Sequence, residues 1–458
     1  MKRKFTVLVV PAAVLLLVSV SVLSFDKPDG AEEYPFFPSL IRVIGDRILT
    51  VDDTTDPDTC GACHGEIFEQ WNGSMHSKAF RDPVWQEMWK IAHEETGGRI
   101  GTECLSCHSP IGMVTGNLKT PGDIEGLDYI SASGVQCDFC HSVDSTHYVE
   151  TREHEPHNMA FNFDPGDVKR GPFKDSESSF HESRYSQLHT SAEFCGNCHN
   201  VFHPSTGFPV ERTYDEWKQS VYAHNGVVCQ DCHMSPAGNL KTIAETLKRV
   251  ENPGYASELA EERPHIFTHQ FTGGNSLLPK LLGSEKHSGI AESMLKNAAR
   301  VSIEDIRTEK GLVEVDVKVE NIAAGHNLPT SLTELRQMWL EVEVFNENGD
   351  KIFESGVPDA DGNLPEGTVI FNSYPVDKNG GYTIKPWEIS HFAYNKTIPA
   401  KGFAVENFSF TTDEVASGLK AVVKLNYRSF PQHVADTLLG ENAPEVPVVV
   451  MAHTEKTQ

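Results

Sequence analysis

Five times in this chain two cysteines stand three residues apart with a histidine directly after them: Cys60, Cys63 and His64; Cys104, Cys107 and His108; Cys137, Cys140 and His141; Cys195, Cys198 and His199; Cys229, Cys232 and His233. That C-x-x-C-H spacing is the attachment signature of c-type haem. The two thiols form thioethers to the porphyrin, and the adjoining imidazole is placed to coordinate the iron from the proximal side. The five motifs use all ten cysteines, which argues against zinc ribbons and thioredoxin-like dithiols. The expectation is five covalently bound haem c groups, each carrying iron, with His64, His108, His141, His199 and His233 as proximal ligands. No side chain is singled out as catalytic.

What such a haem can do is set by its other axial position. Two histidines give a low-spin iron that can only pass electrons. A His/Met pair raises the potential, and an open position admits a small molecule. The chain has 21 histidines, so sixteen remain beyond the five proximal ones, enough for every haem to be bis-histidine.

The elements that must hold these groups follow from length and patterning. A chain of 458 residues exceeds one compact core and implies two or three domains. Between Cys60 and His233 side-chain volume is scarce, so the porphyrins supply most of the buried apolar surface, and short helices and irregular loops are expected. Residues 26–56 read as a linker with one short strand near Leu40 to Val51. Residues 285–304 read as a helix on Ile290, Met294, Leu295 and Ala298. From about Val301 the pattern changes. Leu312 to Val319 alternates apolar and charged residues, Trp339 to Phe345 repeats this, and Asn348-Gly349 marks a tight hairpin into Lys351-Ile352-Phe353. Further strands are expected at 403–410, 421–427 and 446–451. The fold class is multidomain α+β: a mainly helical and irregular multihaem c-type core at 57–300, then an antiparallel β-sandwich-like domain at 301–458 that attaches no haem.

Met1-Lys2-Arg3-Lys4 followed by the apolar stretch Phe5 to Phe25 reads as a secretory signal over residues 1–25, or as a retained N-terminal anchor. Either places the chain outside the cytoplasm, in the periplasm or beyond, where haem attachment is completed in bacteria. The formal charge of −26 argues against a nucleic-acid partner.

After the first motif come Gln70-Trp71, then His76, Lys78 and Ala79, then the second motif, and Gly134-Val135 ahead of the third. This order resembles the cytochrome c-554 family over about residues 57–200. The resemblance implies a helical core of closely packed porphyrins that passes electrons. It implies that His76 is a distal ligand, serving the third haem, and that a histidine downstream of the third motif serves another. His181 is the candidate for that role, with His147, His154, His157 and His189 as competitors. The family pattern has four motifs, so the fifth, at Cys229, is a departure. In that family the second haem lacks a distal side chain; here Met113 follows the second motif, either as a ligand, as haem-edge packing, or beside an open site.

Farther along, Arg170-Gly171-Pro172, Glu216-Trp217 and Gly226-Val227-Val228-Cys229 are similar to larger multihaem cytochromes. His269-Gln270-Phe271-Thr272-Gly273-Gly274 is similar to a segment that supplies a distal ligand there, which points to His269 for the fourth or fifth haem, with His265 as the spare. Gly325-His326-Asn327-Leu328-Pro329-Thr330 followed by Trp339 is also similar to text beside their haem regions. It makes His326 a candidate to reach from the β-domain into the haem core.

The functional expectation is exported electron transfer along stacked haems between respiratory partners, either other redox proteins or a membrane quinol dehydrogenase. Homo-oligomer or filament assembly is a variant. The competing class is a multihaem oxidoreductase with one open haem, acting on nitrite-, hydroxylamine- or sulfur-oxyanion-type substrates. Five haems are shared with the pentahaem nitrite reductases, yet no motif here ends in Lys and the C-terminal third reads as strands rather than long helices. A third class treats the β-domain as a docking module.

Overall fold

Along the motif-bearing segment the helices stay short because each serves a local anchor. The motifs lie on or beside the helical turns Pro57–Gly61, Gly101–His108, Cys137–Ser142, Ala192–Gly196 and Cys229–His233. At that spacing the two thiols of a motif share one helical face. A computed structural model describes residues 34–412 and 418–458; the N-terminal stretch read as a signal or anchor lies outside the described residues. Helix α1 (Pro83–Thr96) is the one long helix among the motifs. The Asp82 carboxylate accepts from the N–H groups of Val84 and Trp85, Pro83 opens the first turn, and Gly97 ends it at φ +62°.

The strand expected from Leu40 to Val51 shrinks to Arg42–Val43, paired in parallel with Phe161–Phe163. Gly45 and Asp46 both take positive φ, at 79° and 50°, and turn the chain away. Residues expected to link instead pack inward, with Ile41 and Leu49 buried beside Phe161 and Phe163.

Helix α2 (Glu285–Ala298) ends earlier than its apolar pattern suggests. At Ala299 the period shortens to two, with Val301 and Ile303 buried and alternating with Arg300 and Ser302, so the chain continues as strand β1 (Ala299–Glu309). Then follow β2 (Leu312–Asn321), β3 (Gln337–Phe345), β4 (Lys351–Ser355), β5 (Phe403–Thr411), β6 (Lys420–Arg428), helix α3 (Gln432–Leu439) and β7 (Val449–Thr457). The last strand starts later than expected, after Pro447, which has no N–H to give to a ladder. At the β3–β4 hairpin Gly349 takes φ +86°, and Asn346 Oδ1 accepts from the N–H groups of Asn348 and Asp350.

One antiparallel sheet has the order β1-β2-β5; the other has β4-β3-β6-β7, with Ile370–Phe371 also pairing β3. Val313, Val315, Val317 and Val319 of β2 share a single apolar core with Met338, Leu340, Val342 and Val344 of β3 and Ala421, Val423 and Leu425 of β6. Alternation therefore fixes register, since a slip of one residue would expose every one of these side chains.

The strand-rich part is clasped to the motif-bearing part by polar contacts. Glu95 at the end of α1 accepts from Lys385 Nζ at 2.5 Å and Trp387 Nε1 at 3.0 Å, and the Trp387 carbonyl accepts from His203 Nε2 at 3.1 Å. Helix α3 packs against α1. Among the described residues no helix is long and apolar enough to cross a membrane.

One buried group works against stability. Glu334 is 3 % exposed, and neither carboxylate oxygen has a hydrogen-bond partner in the protein. Burial pushes its pKa from 4.5 up to about 7. Between those values the unfolded chain has released a proton that the folded chain keeps, so stability falls as pH rises through that window and stays lowered above it. Glu334→Gln is expected to raise stability at pH 8 by about 1–3 kcal/mol and to leave it unchanged at pH 4. Thermal unfolding of both proteins at the two pH values checks this.

Candidate functional site

All ten cysteines line one continuous cavity of about 1530 Å³. The five motif histidines line it too, each with its Nδ1 engaged. His64 Nδ1 donates to the Ala256 carbonyl at 2.6 Å, His108 to Ala79 at 2.9 Å, His141 to Arg170 at 2.6 Å and His233 to Thr272 at 2.6 Å. His199 Nδ1 meets a carboxylate instead, Glu211 Oε1 at 3.3 Å. A carbonyl oxygen can only accept, so the proton sits on Nδ1 and Nε2 keeps a lone pair for a metal.

Four of these imidazoles face a second one across the cavity. His64 and His181 have ring centroids 6.5 Å apart, His76 and His199 6.4 Å, His141 and His269 6.4 Å, and His233 and His326 6.2 Å. An iron held by two imidazole nitrogens at ~2 Å each spaces the ring centroids by roughly 6 Å, so these gaps fit. His181, His269 and His326 turn their Nδ1 to backbone carbonyls of Glu182, Phe267 and Asn327. His76 Nδ1 is buried without a partner. Burial, with a neighbouring imidazole adding to it, holds His76 and His269 down to about 3 and His326 to about 4, so all three stay neutral. At His199 burial also opposes protonation, but the Glu211 hydrogen bond and charge override it and raise the pKa to about 9.

The pairing differs from the expected one in two places. His76 faces the fourth motif, not the third, and His269 faces the third motif, not the fourth or fifth. Of the competitors, His189 stacks on His141 at 5.5 Å but gives its Nε2–H to the Cys140 carbonyl, and His147 Nε2 bonds the Leu40 carbonyl. His154 and His157 turn Nδ1 to the carbonyls of Val149 and Glu155. His265 Nδ1 accepts from the Asn252 N–H.

The second motif is the exception. Among the described residues no imidazole pairs with the ring of His108. Trp85 of α1 stacks on its ring at 4.3 Å and 9°, too close for a metal between them, and Trp89 stacks behind at 5.5 Å. Met113 is buried in the apolar core with Leu105, Ile111 and Leu118 and does not line the cavity; the methionine that lines it near Trp85 is Met88.

The short sequence words around the motifs have physical roles. Gln70 Oε1 accepts from the His269 N–H at 2.8 Å, and Trp71 Nε1 donates to the Val135 carbonyl at 2.8 Å. Thr272, three residues beyond His269, gives the carbonyl that orients His233, so one segment serves two positions. The His326 loop is held by the motif-bearing part: Glu216 accepts from the Asn327 N–H at 3.2 Å and the Thr330 hydroxyl at 2.5 Å, and the Tyr222 hydroxyl donates to the Ala323 carbonyl at 3.2 Å. Sequence reasoning singled out none of the backbone acceptors as such, nor Glu211.

Residues 59–142 match the family described as cytochrome c554 and c-prime. Among solved structures, the penta-heme cytochrome c552 from Thermochromatium tepidum superposes with a TM-score of 0.62 at 17 % identity, covering 89 % of this chain and 99 % of that one. The Northeast Structural Genomics Consortium target SoR45 overlaps at a TM-score of only 0.16, with 10 % identity over 36 % of this chain and 89 % of that one. No curated protein matches the chain. The C-x-x-C-H motifs, the matched family segment and the shared fold make this a multihaem cytochrome of the c type. Covalently held haem c supplies one-electron chemistry at iron; the chain's own residues orient the imidazoles around the cavity, and burial keeps those of His76, His269 and His326 neutral.

Gly134 tests how tightly this is fitted. It sits at φ +68°, ψ −137°, and a Cβ there would lie 2.4 Å from the His76 carbonyl oxygen, which also accepts the Val135 N–H. Gly134→Ala is expected to cost about 1–3 kcal/mol and to disturb the His76 side of the cavity. Thermal unfolding of the holoprotein should show the first effect, and a change in one low-spin resonance the second.

Proposed function

We propose that this is an exported pentahaem electron-transfer protein in which His181, His269, His76 and His326 are the distal ligands of haems one, three, four and five. The observation that carries the reading is the set of four imidazole pairs with ring centroids 6.2–6.5 Å apart. Contacts between motifs support an order for the haems. The turn of the first motif packs against that of the third, and the turn of the fifth against that of the fourth; the sulfurs of Cys107 and Cys140 both lie near that of Cys198. Haems one, three, four and five then form a run, with haem two beside haem four. Close packing of this kind lets the protein act by fixing distances and tuning each potential. Redox proteins or a membrane quinol dehydrogenase are the partners this reading calls for, and the two β-sheets make up a sandwich that helps to hold haem five. Because His326 belongs to that part, removing residues 305–458 would remove a ligand together with any docking surface.

A second reading rests on His108. With no imidazole opposite it, haem two has a position open to a small molecule, or to a ligand from a second copy in a filament. That is where an oxidoreductase acting on nitrite-, hydroxylamine- or sulfur-oxyanion-type substrates would work.

Low-temperature electron paramagnetic resonance of the oxidised protein separates the readings. Four low-spin haems and one high-spin haem are expected. A high-spin signal that shifts with nitrite or hydroxylamine, together with turnover of either by the reduced protein, favours the enzyme; five low-spin haems overturn the open position. His326→Met is expected to convert one bis-histidine signal to His/Met character, and an unchanged spectrum would remove His326 from the ligand set.

A further inference from the structure

The five proximal histidines differ in one respect. Four donate Nδ1–H to a peptide carbonyl, whereas His199 alone faces a carboxylate. The chain builds this contact deliberately close to the motif. Val201–Phe202 pairs in an antiparallel hairpin with Pro209–Glu211, with Val201 opposite Glu211, and this returns the carboxylate to the histidine two residues before the hairpin's first strand. Glu211 is 9 % exposed, its Oε1 also faces the Thr213 hydroxyl at 3.5 Å, and among the described residues no lysine or arginine forms an ion pair with it. Across the cavity His76 has no acceptor for its own Nδ1–H, so nothing on the distal side matches this contact.

We propose that Glu211 is a positioning and tuning residue that makes haem four the lowest-potential bis-histidine haem of the set. A carboxylate is a stronger acceptor than an amide carbonyl and draws the Nδ1 proton towards itself. His199 thereby gains imidazolate character and donates more strongly through Nε2, which favours ferric over ferrous iron. The buried negative charge acts in the same direction through space. The inference rests on the ligand reading above. It adds that the haem standing beside haem two, with contacts to three and five as well, is the strongest reductant among the four bis-histidine haems.

The test is a spectroelectrochemical titration of the full-length holoprotein and of Glu211→Gln, which keeps the shape and removes the charge. The expected result is that the lowest of the bis-histidine potentials moves upward and one low-spin resonance changes its g-values, with haem content and the other three low-spin haems unaltered. Glu211→Asp, which keeps the charge but shortens its reach, is expected to fall between the two and remains informative should the Gln protein lose haem. His76→Met identifies the haem-four signal independently. If that variant alters no low-spin signal, the ligand reading fails. If it marks haem four but Glu211→Gln and Glu211→Asp leave that potential where it was, Glu211 has no tuning role.

Discussion

The structure depends on one hydrogen bond repeated around the cavity: an imidazole Nδ1–H given to a fixed oxygen. Without it a histidine has two tautomers and a freely turning ring. With it the proton is placed, the ring plane is set and the lone pair points inward. The acceptors come from segments far from the motifs: Ala79 for His108, Arg170 for His141, Ala256 for His64 and Thr272 for His233. The loops between motifs are therefore not mere connections. Each must return a backbone carbonyl to within about 3 Å of an imidazole nitrogen, a limit set by hydrogen-bond geometry.

That constraint explains why the motif-bearing segment is built from short turns. Apart from α1, its helices run only four to eight residues, too short to be stable in isolation. They are pinned by caps, by side-chain bonds to distant backbone and by the apolar cluster around Leu105, Phe139 and Phe161. The strand-rich part follows the opposite rule: its long strands bury alternate residues in a core of their own and need no cofactor to define it.

The two parts were legible to different degrees for the same reason. Attachment chemistry demands a fixed local spacing, so the cysteines and proximal histidines can be read from the sequence directly. Period-two alternation likewise revealed β2, β3 and β6, while the boundaries of other strands moved where Gly45 and Asp46 turn the chain or Pro447 delays a strand. His76, His181, His269 and His326 could be singled out by resemblance, but which motif each would face depends on how some hundred residues of loop fold back. His76 and His269 accordingly face other motifs than expected. Backbone acceptors carry no side-chain signature at all, and Glu211 is one acid among 65 Asp and Glu residues. Only its hairpin partnership with Val201 distinguishes it.

On the proposed ligation the imidazole pairs are also long-range cross-links. Each iron would join positions roughly a hundred residues apart, and closing loops of that length removes several kcal/mol of unfolded-chain entropy. Metal binding free energy then becomes folding free energy. The pair His233–His326 extends this to the strand-rich part, whose loop is gripped by Glu216 and Tyr222 as well. Haem two lies outside that scheme: His108 has Trp85 against its ring and no imidazole opposite, so its iron would cross-link nothing beyond its own motif. On that ligation the position that contributes least to holding the chain together would be the one able to exchange a ligand without loosening the fold, and it would stand beside the haem whose motif histidine alone is backed by a carboxylate.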